Sequence, residues 1–490
     1  MSNQRIIFRN DFLNVRTISL IAGLLMGSSV SFADSELPAL GDRASGYVSM
    51  QQEHDLGRLW LRQLRSQVSS LDDPLVLTYF EDLIYRLVPH SELREMDLEF
   101  IVVDSPELNA FAVPGGIIGI NDGIFLYAND TDELAAVLAH ELAHLSQRHF
   151  SRQIENAERR DPIALATLLA SILLIATNNP DAGFAGLVTS QAASIHNQLA
   201  YSRDFEREAD RLGMLTLAGA ELDPQAMPSM FEAMLNANRY REAPPEFLLT
   251  HPITSSRVAD AANRAEQYPA RPRLASFEFS VLRNDARRRY QLKDSKAEKQ
   301  FIQELSRTTG VKNAALHYNL ANIYLNNRDP DKGLAQIEQI ESPWRQHSAT
   351  IALEARLLAL NGNNDQAIKV LNDALRLNPN DRILVKPYAP LLVEAGRATE
   401  ASQLLRKQTE LYPTEPSAWQ QLSNVAYKAN QPIVAHRALA EYLYFSGQRS
   451  NALKQMDVAL LEARKRHDFY QEAALKERLK AMTESPTSLQ

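Results

Sequence analysis

Two histidines and a glutamate stand at a spacing that suits metal-dependent hydrolysis. Residues 134–150 read LAAVLAHELAHLSQRHF, with His140 and His144 four positions apart and Glu141 directly after the first histidine. On a helix both imidazoles lie on one face and can reach one zinc ion at about 2.0–2.1 Å. Glu141 could then take a proton from water and pass it to a leaving amine. The alternative is a buried helix that happens to contain histidines, because two ligands are not a site.

A second helical stretch, YSRDFEREADRLG (201–213), offers a third ligand. Glu206 and Asp210 are also four positions apart, and such acidic pairs repel by roughly 0.2–0.5 kcal/mol on an isolated helix. Arginines interleave with them, so a solvated charged face is the plain alternative. Behind the histidine pair the metal interpretation is stronger, because two histidines and a glutamate form a common open zinc site with a fourth position for water. We therefore predict that Glu206 completes the ligand set.

A helix and a small sheet must position these residues. Asp130 and Glu133 have capping-box spacing, which predicts a helix from there through about residue 149. Upstream, residues 98–103 and 109–121 are rich in β-branched and aromatic residues and predict two or three short strands. These strands either only support the core or include an edge strand on which an extended peptide lies as an added strand. The edge-strand residues would be Asn109, Ala110, Phe111 and Ala112.

The C-terminal half repeats every 34 residues. One column of small residues is Gly333, Ala367, Ala401 and Ala435. Four positions after each comes an aliphatic residue: Ile337, Leu371, Leu405 and Leu439. Twelve positions before each comes another small residue: Ala321, Ala355, Ala389 and Ser423. This period, with small residues where two helices cross, resembles the tetratricopeptide repeat, whose arrays form concave surfaces that bind peptides or folded partners.

The expected fold class is α+β, mainly α: a zinc metallopeptidase domain with a small β-sheet, followed by an all-α repeat solenoid. Pro387 and Pro390 fall inside the first helix of the third repeat, which we expect to be kinked or shortened. Residues 438–460 still indicate a helix pair after the strict period stops. The predicted boundaries are a signal peptide at 1–33, a metallopeptidase domain at 34–265, a linker and connecting helix at 266–310, the repeat array at 311–480 and a tail at 481–490.

Composition and the N-terminus restrict the function. The formal net charge of -8 argues against nucleic acid as a partner. The absence of cysteine excludes disulfides, thiolate chemistry, cysteine-ligated zinc and a lipobox anchor. Arginines precede an apolar run that ends at Ala33 in a small-x-small pattern, which predicts export to the periplasm, or secretion, with cleavage after that residue. In the apolar segment 163–196, the strongly apolar run 163–177 has 15 residues with polar flanks, whereas about 20 are needed to span a membrane. The segment is either a hairpin that covers the site or touches a client or membrane surface, or a plain buried helix.

The combination of NAFAVPGG, HELAH and EREAD resembles the zinc metallopeptidase family that includes the CAAX prenyl endopeptidases and the HtpX heat-shock protease, over roughly residues 50–260. The resemblance implies one zinc ion per chain. It assigns metal ligation to His140, His144 and Glu206, general base catalysis to Glu141, and either orientation of a ligand histidine or proton donation to Asp210. With its export signal and repeats, the whole chain resembles periplasmic members that act in outer-membrane assembly. Unfolded or misassembled outer-membrane β-barrel proteins and the assembly machinery are then the implied partners.

His251, in LLTHPITSSR, is by itself an ordinary loop histidine before a proline. The family has a His-Pro at a similar place, and this leaves two functional roles. His251 either stabilises the oxyanion of the tetrahedral intermediate or takes zinc's fourth position and holds the enzyme latent. Our hypothesis is the second, because an unspecific protease among unfolded exported proteins needs control. His149 has no evident partner, and we expect it to be structural.

Two functions compete at this point. The first is a periplasmic zinc endopeptidase with a chaperone-like role, which promotes β-barrel assembly, degrades misassembled clients and recruits them through the repeats. The alternative is a repeat-based chaperone or adaptor whose metallopeptidase domain is inert. The intact set of two histidines, two glutamates and an aspartate favours the first, since an inert domain has no reason to keep Glu141.

Overall fold

The structure, a computed structural model, describes residues 49–94, 97–156, 203–238, 245–273 and 275–485. Three predictions lie outside these residues: the signal peptide at 1–33, the apolar segment 163–196 and the last five residues of the tail. Across the described ranges, no helix combines the length and the apolar character needed to cross a membrane.

The N-terminal half is helical around a small sheet, as predicted. Its elements are α1 Met50–Arg65, α2 Pro74–Leu87, β1 Glu99–Val103, β2 Ala110–Val113, β3 Ile117–Asn121, α3 Thr131–Ser146, α4 His149–Asn156, α5 Arg203–Gly219, α6 Ala226–Asn238, α7 Glu246–Thr250 and α8 Ser255–Ala265. One main core forms from apolar residues of α2, α3 and α6 together with the buried faces of β3 and α5. The sheet and α3 therefore share a single apolar interior.

The sheet has the order β1-β3-β2 among the described residues, with β1 parallel and β2 antiparallel to the central β3. Gly115 and Gly116 form the turn between β2 and β3 with φ of +84° and +74°, a backbone region that favours glycine. Phe111 pairs with Gly119 across the strands, where a Cβ would stand 2.0 Å from the phenylalanine ring. The Phe111 ring therefore packs against the backbone of β3. In this strand order β2 is an edge strand.

Helix α3 begins as its sequence predicts and ends earlier. The Asp130 carboxylate accepts from the Glu133 backbone N–H at 2.9 Å, but the Glu133 carboxylate accepts from the Asn129 N–H rather than from Asp130. The helix stops at Ser146 instead of near residue 149, because Arg148 takes a left-handed φ of +49° and a new helix, α4, starts directly after it. This change of chain direction places His149, the first residue of α4, against α3.

Helix α5 confirms the helical prediction for 201–213 and packs closely against α3. Gly213 makes this approach possible, because a Cβ there would lie 3.1 Å from the His140 backbone nitrogen. Glu206 and Asp210 are buried on the side that faces α3, whereas Arg207 points to solvent. The solvated-face alternative for the two acidic residues is therefore wrong.

The chain between the two halves is also packed. It leaves α8 at Ala265 and enters α9 (Phe277–Ala286), which continues as a π-helical turn (Arg287–Leu292) and then α10 (Asp294–Leu305). Arg273, in the predicted linker, is paired with Asp223 at 2.7 Å and with Glu133 at 3.2 Å. Phe277 and Phe279 are buried in the main core. The connecting helices thus extend the interior of the N-terminal half.

The C-terminal half is an array of antiparallel helices, as predicted. The helices are α11 Gly310–Asn326, α12 Pro330–Glu338, α13 Ser348–Leu360, α14 Asn364–Leu377, α15 Arg382–Glu394, α16 Ala398–Leu411, α17 Pro416–Lys428, α18 Pro432–Phe445, α19 Arg449–Lys465 and α20 Phe469–Glu484. All eight residues of the two small columns are buried. Ser423 Oγ donates to the Ala435 carbonyl at 3.0 Å, which joins the two columns where α17 and α18 cross. In the aliphatic column only Leu439 is half-buried rather than buried.

Helix α15 contains Pro387 and Pro390 and is not shortened. It spans 13 residues, the same length as α13 and α17 in the neighbouring repeats. Pro387 is half-buried and Pro390 exposed, so neither proline ring is enclosed in the core of the array. Of the two expected outcomes, a kink or a shortening, the shortening is not observed.

The array packs on the N-terminal half at several points along its length. Arg382, at the start of α15, pairs with Glu81 of α2 at 2.7 Å. Arg65, at the end of α1, donates to the Thr414 carbonyl at 3.3 Å. Farther along, the Arg62 guanidinium lies 4.8 Å from the Tyr444 ring centroid. The array therefore stays in contact with the N-terminal half along its length, from the connecting helix α9 to helix α1.

Candidate metal centre

Four side chains converge from three helices. His140 and His144 project from α3, Glu206 from α5, and His251 directly follows α7. Each is 2–3% exposed. One ligand atom from each lies within 4.8 Å of the others, so the four residues could hold one metal ion.

The distances between these donor atoms are short. His140 Nε2 lies 3.0 Å from His144 Nε2 and 3.4 Å from His251 Nδ1. Glu206 Oε1 lies 3.0 Å from His251 Nδ1 and 3.4 Å from His144 Nε2. The structure thus brings the predicted ligands together with His251, the hypothesised fourth ligand.

Asp210 and Arg257 stand behind these donors. Asp210 Oδ1 lies 3.1 Å from His140 Nδ1, and both Asp210 oxygens accept from the Arg257 guanidinium at 2.7 and 2.8 Å. Arg257 Nη1 also lies 2.6 Å from Glu206 Oε2. Sequence reasoning missed Arg257. The available signal was its place on the buried stripe of α8, four and eight positions before Ala261 and Ala265, where an arginine indicates a buried ion pair.

His149 was expected to be structural without a partner, and the structure gives it two. Its Nδ1 lies 3.0 Å from His144 Nδ1, and its Nε2 lies 3.1 Å from Glu208 Oε2. The ring is wholly buried and stacks on Phe205 with centroids 4.5 Å apart. Burial lowers the pKa of His149 to about 4, so this ring is neutral near pH 7.

Glu141 faces the same centre from α3. It is 1% exposed, and its Oε1 has no hydrogen-bond partner among the described residues. That oxygen lies 3.6 Å from His251 Nε2. Burial raises the pKa of the Glu141 carboxyl, while a hydrogen bond from the Ala112 backbone lowers it. The bond to Ala112 joins Glu141 to β2, the edge strand.

The charges of the site are strongly coupled. Burial lowers the pKa of His140, but hydrogen bonds to Asp210 and Glu206 raise it to about 9. Burial pushes the pKa of His144 well below its usual value. The pKa of Glu206 also lies well below its usual range, because the positive field of His251 and hydrogen bonds from the histidines outweigh its burial. Glu206 therefore stays ionised, the state in which a carboxylate can bind a metal ion.

Comparison with known proteins agrees with this geometry. Residues 74–265 match the sequence profile of Peptidase family M48, and residues 358–426 match that of the tetratricopeptide repeat. The beta-barrel assembly-enhancing protease of Escherichia coli K12 is 31% identical over 450 residues, which cover 90% of this chain and 91% of that one. A Vibrio cholerae protein is 34% identical over 389 residues, 79% of this chain and 80% of its own. The mitochondrial metalloendopeptidase OMA1 of Schizosaccharomyces pombe is 31% identical over 180 residues, 37% of this chain and 50% of its own.

Fold and site together define a metalloprotease: an M48 peptidase domain followed by tetratricopeptide repeats. The repeats indicate that the chain binds other proteins. Because the similarity to the Escherichia coli protease extends over nearly the whole length of both proteins, this chain belongs to the family of beta-barrel assembly-enhancing proteases.

Proposed function

We propose that this chain is a periplasmic zinc endopeptidase that acts on outer-membrane β-barrel proteins whose assembly has stalled. The observation that carries the zinc assignment is the close approach of two imidazole nitrogens, His140 Nε2 and His144 Nε2, at 3.0 Å. The other nitrogen of each ring faces an outer partner, Asp210 or His149. Each ring thus turns one nitrogen outward to a partner and the other inward to the same point, where a shared cation would bind both.

The donor set fits zinc. Four donors at about 2.0–2.1 Å from one tetrahedral ion stand about 3.3 Å apart, and the shortest distances between these donors are 3.0–3.4 Å. Imidazole nitrogen and carboxylate oxygen are ligands that zinc prefers, and cysteine is absent from the chain. A zinc ion bound here would supply Lewis acidity, which acidifies a water and polarises the scissile carbonyl.

Glu141 is the proposed proton carrier. Its Oε1 is buried, faces the centre and lacks a hydrogen-bond partner among the described residues, so it can accept a proton from the attacking water. The water oxygen then bonds to the carbonyl carbon, the carbon–nitrogen bond breaks, and Glu141 passes the proton to the amine. Asp210 is assigned the orienting role: one of its oxygens faces His140 Nδ1, while both accept from Arg257.

The proposed peptide site is the outer edge of β2, from Asn109 through Ala112. An extended substrate could add there as a strand, and the hydrogen bond between Ala112 and Glu141 sets that edge beside the catalytic carboxylate. The Phe247 N–H donates to the Leu108 carbonyl at 3.3 Å, so α7 lies against the start of this edge. The segment that carries His251 must therefore move for a peptide to bind.

His251 is the proposed latch. Its Nδ1 is among the four donors and its Nε2 faces Glu141 at 3.6 Å. Four protein ligands leave no position for the attacking water. Phe247 stacks on the His251 ring, with centroids 4.7 Å apart, and this contact supports the closed arrangement. Withdrawal of α7 would open the metal and the edge strand together.

Recruitment of clients is assigned to the repeats. Tetratricopeptide arrays bind peptides and folded partners, and the relatives' name supports outer-membrane β-barrel proteins as clients, with a chaperone-like role during assembly. The apolar run that ends at Ala33 supports export to the periplasm.

The enzymatic part of the proposal is tested by Glu141→Gln. Wild type and variant should each bind one zinc ion per chain, measured by elemental analysis, because Glu141 is not a ligand. Casein degradation should fall by about 10²–10⁴-fold in the variant, the contribution of a general base. Equal degradation by both proteins would overturn the catalytic assignment.

The client class is tested with the same variant in cells. Crosslinking Glu141→Gln during growth and identifying trapped proteins by mass spectrometry should recover outer-membrane barrel proteins and their assembly factors. Recovery of cytoplasmic proteins alone would contradict both the localisation and the client class.

A further inference from the structure

A two-residue relay runs from the candidate metal centre toward the surface behind His144. His149, the first residue of α4, contacts His144 through Nδ1 and Glu208 of α5 through Nε2. Glu208 is partly exposed and also pairs with Arg152 at 3.0 Å. The relay therefore joins a candidate ligand to a carboxylate at the protein surface.

The direction of the protons follows from the geometry. His144 Nε2 faces the other donors, so it must carry a lone pair to bind a cation, and the proton of the ring is then on Nδ1. Two Nδ1 atoms 3.0 Å apart share one hydrogen. His144 Nδ1–H therefore donates to His149 Nδ1. Because His149 Nδ1 accepts in this arrangement, the proton of that ring lies on Nε2, which donates to Glu208.

We propose that His149 and Glu208 are positioning residues that fix the tautomer and the ring plane of His144 for metal binding; this inference rests on the proposed metal site. Neither residue touches substrate or metal in this assignment. His140 has the equivalent support from one residue, because Asp210 contacts its Nδ1 directly. The two ligand histidines thus differ in their support. Asp210 orients His140 directly, whereas His149 orients His144 and is itself oriented by Glu208.

The surroundings of His149 hold it in place. The Phe205 ring stacks on it with an interplanar angle of 11°. The preceding residue, Arg148, pairs with Glu53 of α1 at 2.7 Å, and Ser151 donates to the same carboxylate. These contacts anchor both sides of the corner between α3 and α4. Removing a residue that holds a metal ligand in place in this way typically weakens metal binding by about 10–100-fold.

The test compares variants that keep or remove one acceptor. In His149→Asn the amide oxygen takes the place of Nδ1 and still accepts from His144, whereas His149→Leu removes the acceptor. Zinc dissociation constants of the full chain are measured by competition with a chromophoric chelator. We expect zinc binding about 10–100-fold weaker for His149→Leu and close to wild type for His149→Asn. Asp204→Asn, an exposed position on α5, is the matched control and should bind as wild type does.

A second pair covers the case in which His149→Leu does not fold. Glu208→Gln keeps an acceptor for His149 Nε2–H, and Glu208→Ala removes it, so only the alanine variant should bind zinc more weakly. Equal zinc affinity in all variants, or equal weakening by the conservative and the disruptive member of each pair, would overturn the proposal.

Long-range ¹H–¹⁵N spectra of the histidine rings separate this inference from the proposed function. In zinc-free wild type, the His144 signals should show one tautomer with the proton on Nδ1, and His149→Leu should show a tautomer mixture. A wild type that binds no zinc would sink the proposed function, while the tautomer of His144 would still be measured. A wild-type His144 with its proton on Nε2 would sink the relay.

Discussion

Arg257 and Glu206 form a buried ion pair, with Arg257 Nη1 2.6 Å from Glu206 Oε2. The same guanidinium makes two hydrogen bonds to Asp210, so one arginine balances both acidic residues of the site. A candidate metal ligand that is already paired with a cation keeps its charge and its position before any metal binds.

Arg257→Gln should therefore lower the free energy of unfolding of the metal-free protein by about 3–5 kcal/mol, since it leaves two buried carboxylates without their partner. Urea unfolding measures the difference. Arg264→Gln, exposed on the same helix, should change stability by less than about 0.5 kcal/mol. A loss for Arg257→Gln as small as that of the control would show that the pair is not needed.

His251→Ala should raise the rate of casein cleavage, because it removes the fourth donor while His140, His144 and Glu206 still bind the metal. Zinc content should remain at one ion per chain. His90→Ala, at an exposed histidine outside the site, is the control for loss of an imidazole. An inactive His251→Ala protein with full zinc content would instead favour the oxyanion role.

Removing the metal should destabilise the protein. Ligand binding to the folded state alone stabilises it by about 4 kcal/mol when the free ligand is a thousandfold above its dissociation constant. Chelation should thus lower the melting temperature of Glu141→Gln, a variant chosen to avoid self-cleavage. Glu206→Gln in that background should show a much smaller response to chelator, and an equal response would place the metal elsewhere.

Stability should also depend on Glu278. Hydrogen bonds from the His347 side chain lower the pKa of Glu278 to about 2. A carboxyl whose pKa is lower in the folded than in the unfolded protein stabilises the fold at pH values above its unfolded-state pKa. This stabilisation is lost as the pH falls toward 2. Glu278→Gln should cost about 1 kcal/mol at pH 7, discounted because the side chain is a third exposed. The difference in unfolding free energy between wild type and variant should shrink progressively below about pH 4.5. Urea titrations across this pH range measure it. A difference that stays constant would contradict the role given to Glu278.

The contact between the array and the peptidase domain can be measured at Arg382 and Glu81. These side chains are 2.7 Å apart and join α15 to α2. A double-mutant cycle with Arg382→Met and Glu81→Gln should give a coupling energy of about 1–2 kcal/mol in unfolding. A coupling near zero would mean that the pair only accompanies the packing of the two halves.

The sequence predicted those parts of the site that depend on spacing along one helix. His140 with His144, and Glu206 with Asp210, follow from the four-residue period, and the three strands follow from local composition. The corner at Arg148 was missed because nothing local requires a left-handed residue there, and with it the partners of His149. Arg257 and His251 reach the site through tertiary packing. The burial stripe of α8 indicates only that Arg257 is buried, and His251 was predicted from the family resemblance rather than from a local pattern.

The array shows the same division. Its 34-residue period predicted which small residues meet at helix crossings, but not that Arg382 would pair with a residue 301 positions earlier in the chain. The two prolines inside α15 predicted a kink or a shortening, and the helix keeps the length of its neighbours.

The return of the array to α1 limits how the protein can change. A Cβ at Gly447 would lie 2.2 Å from the Arg62 carbonyl, so the loop between α18 and α19 meets α1 backbone to backbone. Open solenoids gain or lose repeats with little penalty at their ends. Here one inserted or deleted unit would carry that loop out of register with α1. The repeat number is therefore matched to the circumference of the peptidase domain, and divergence in this chain is expected to proceed by substitution within repeats rather than by changes in their number.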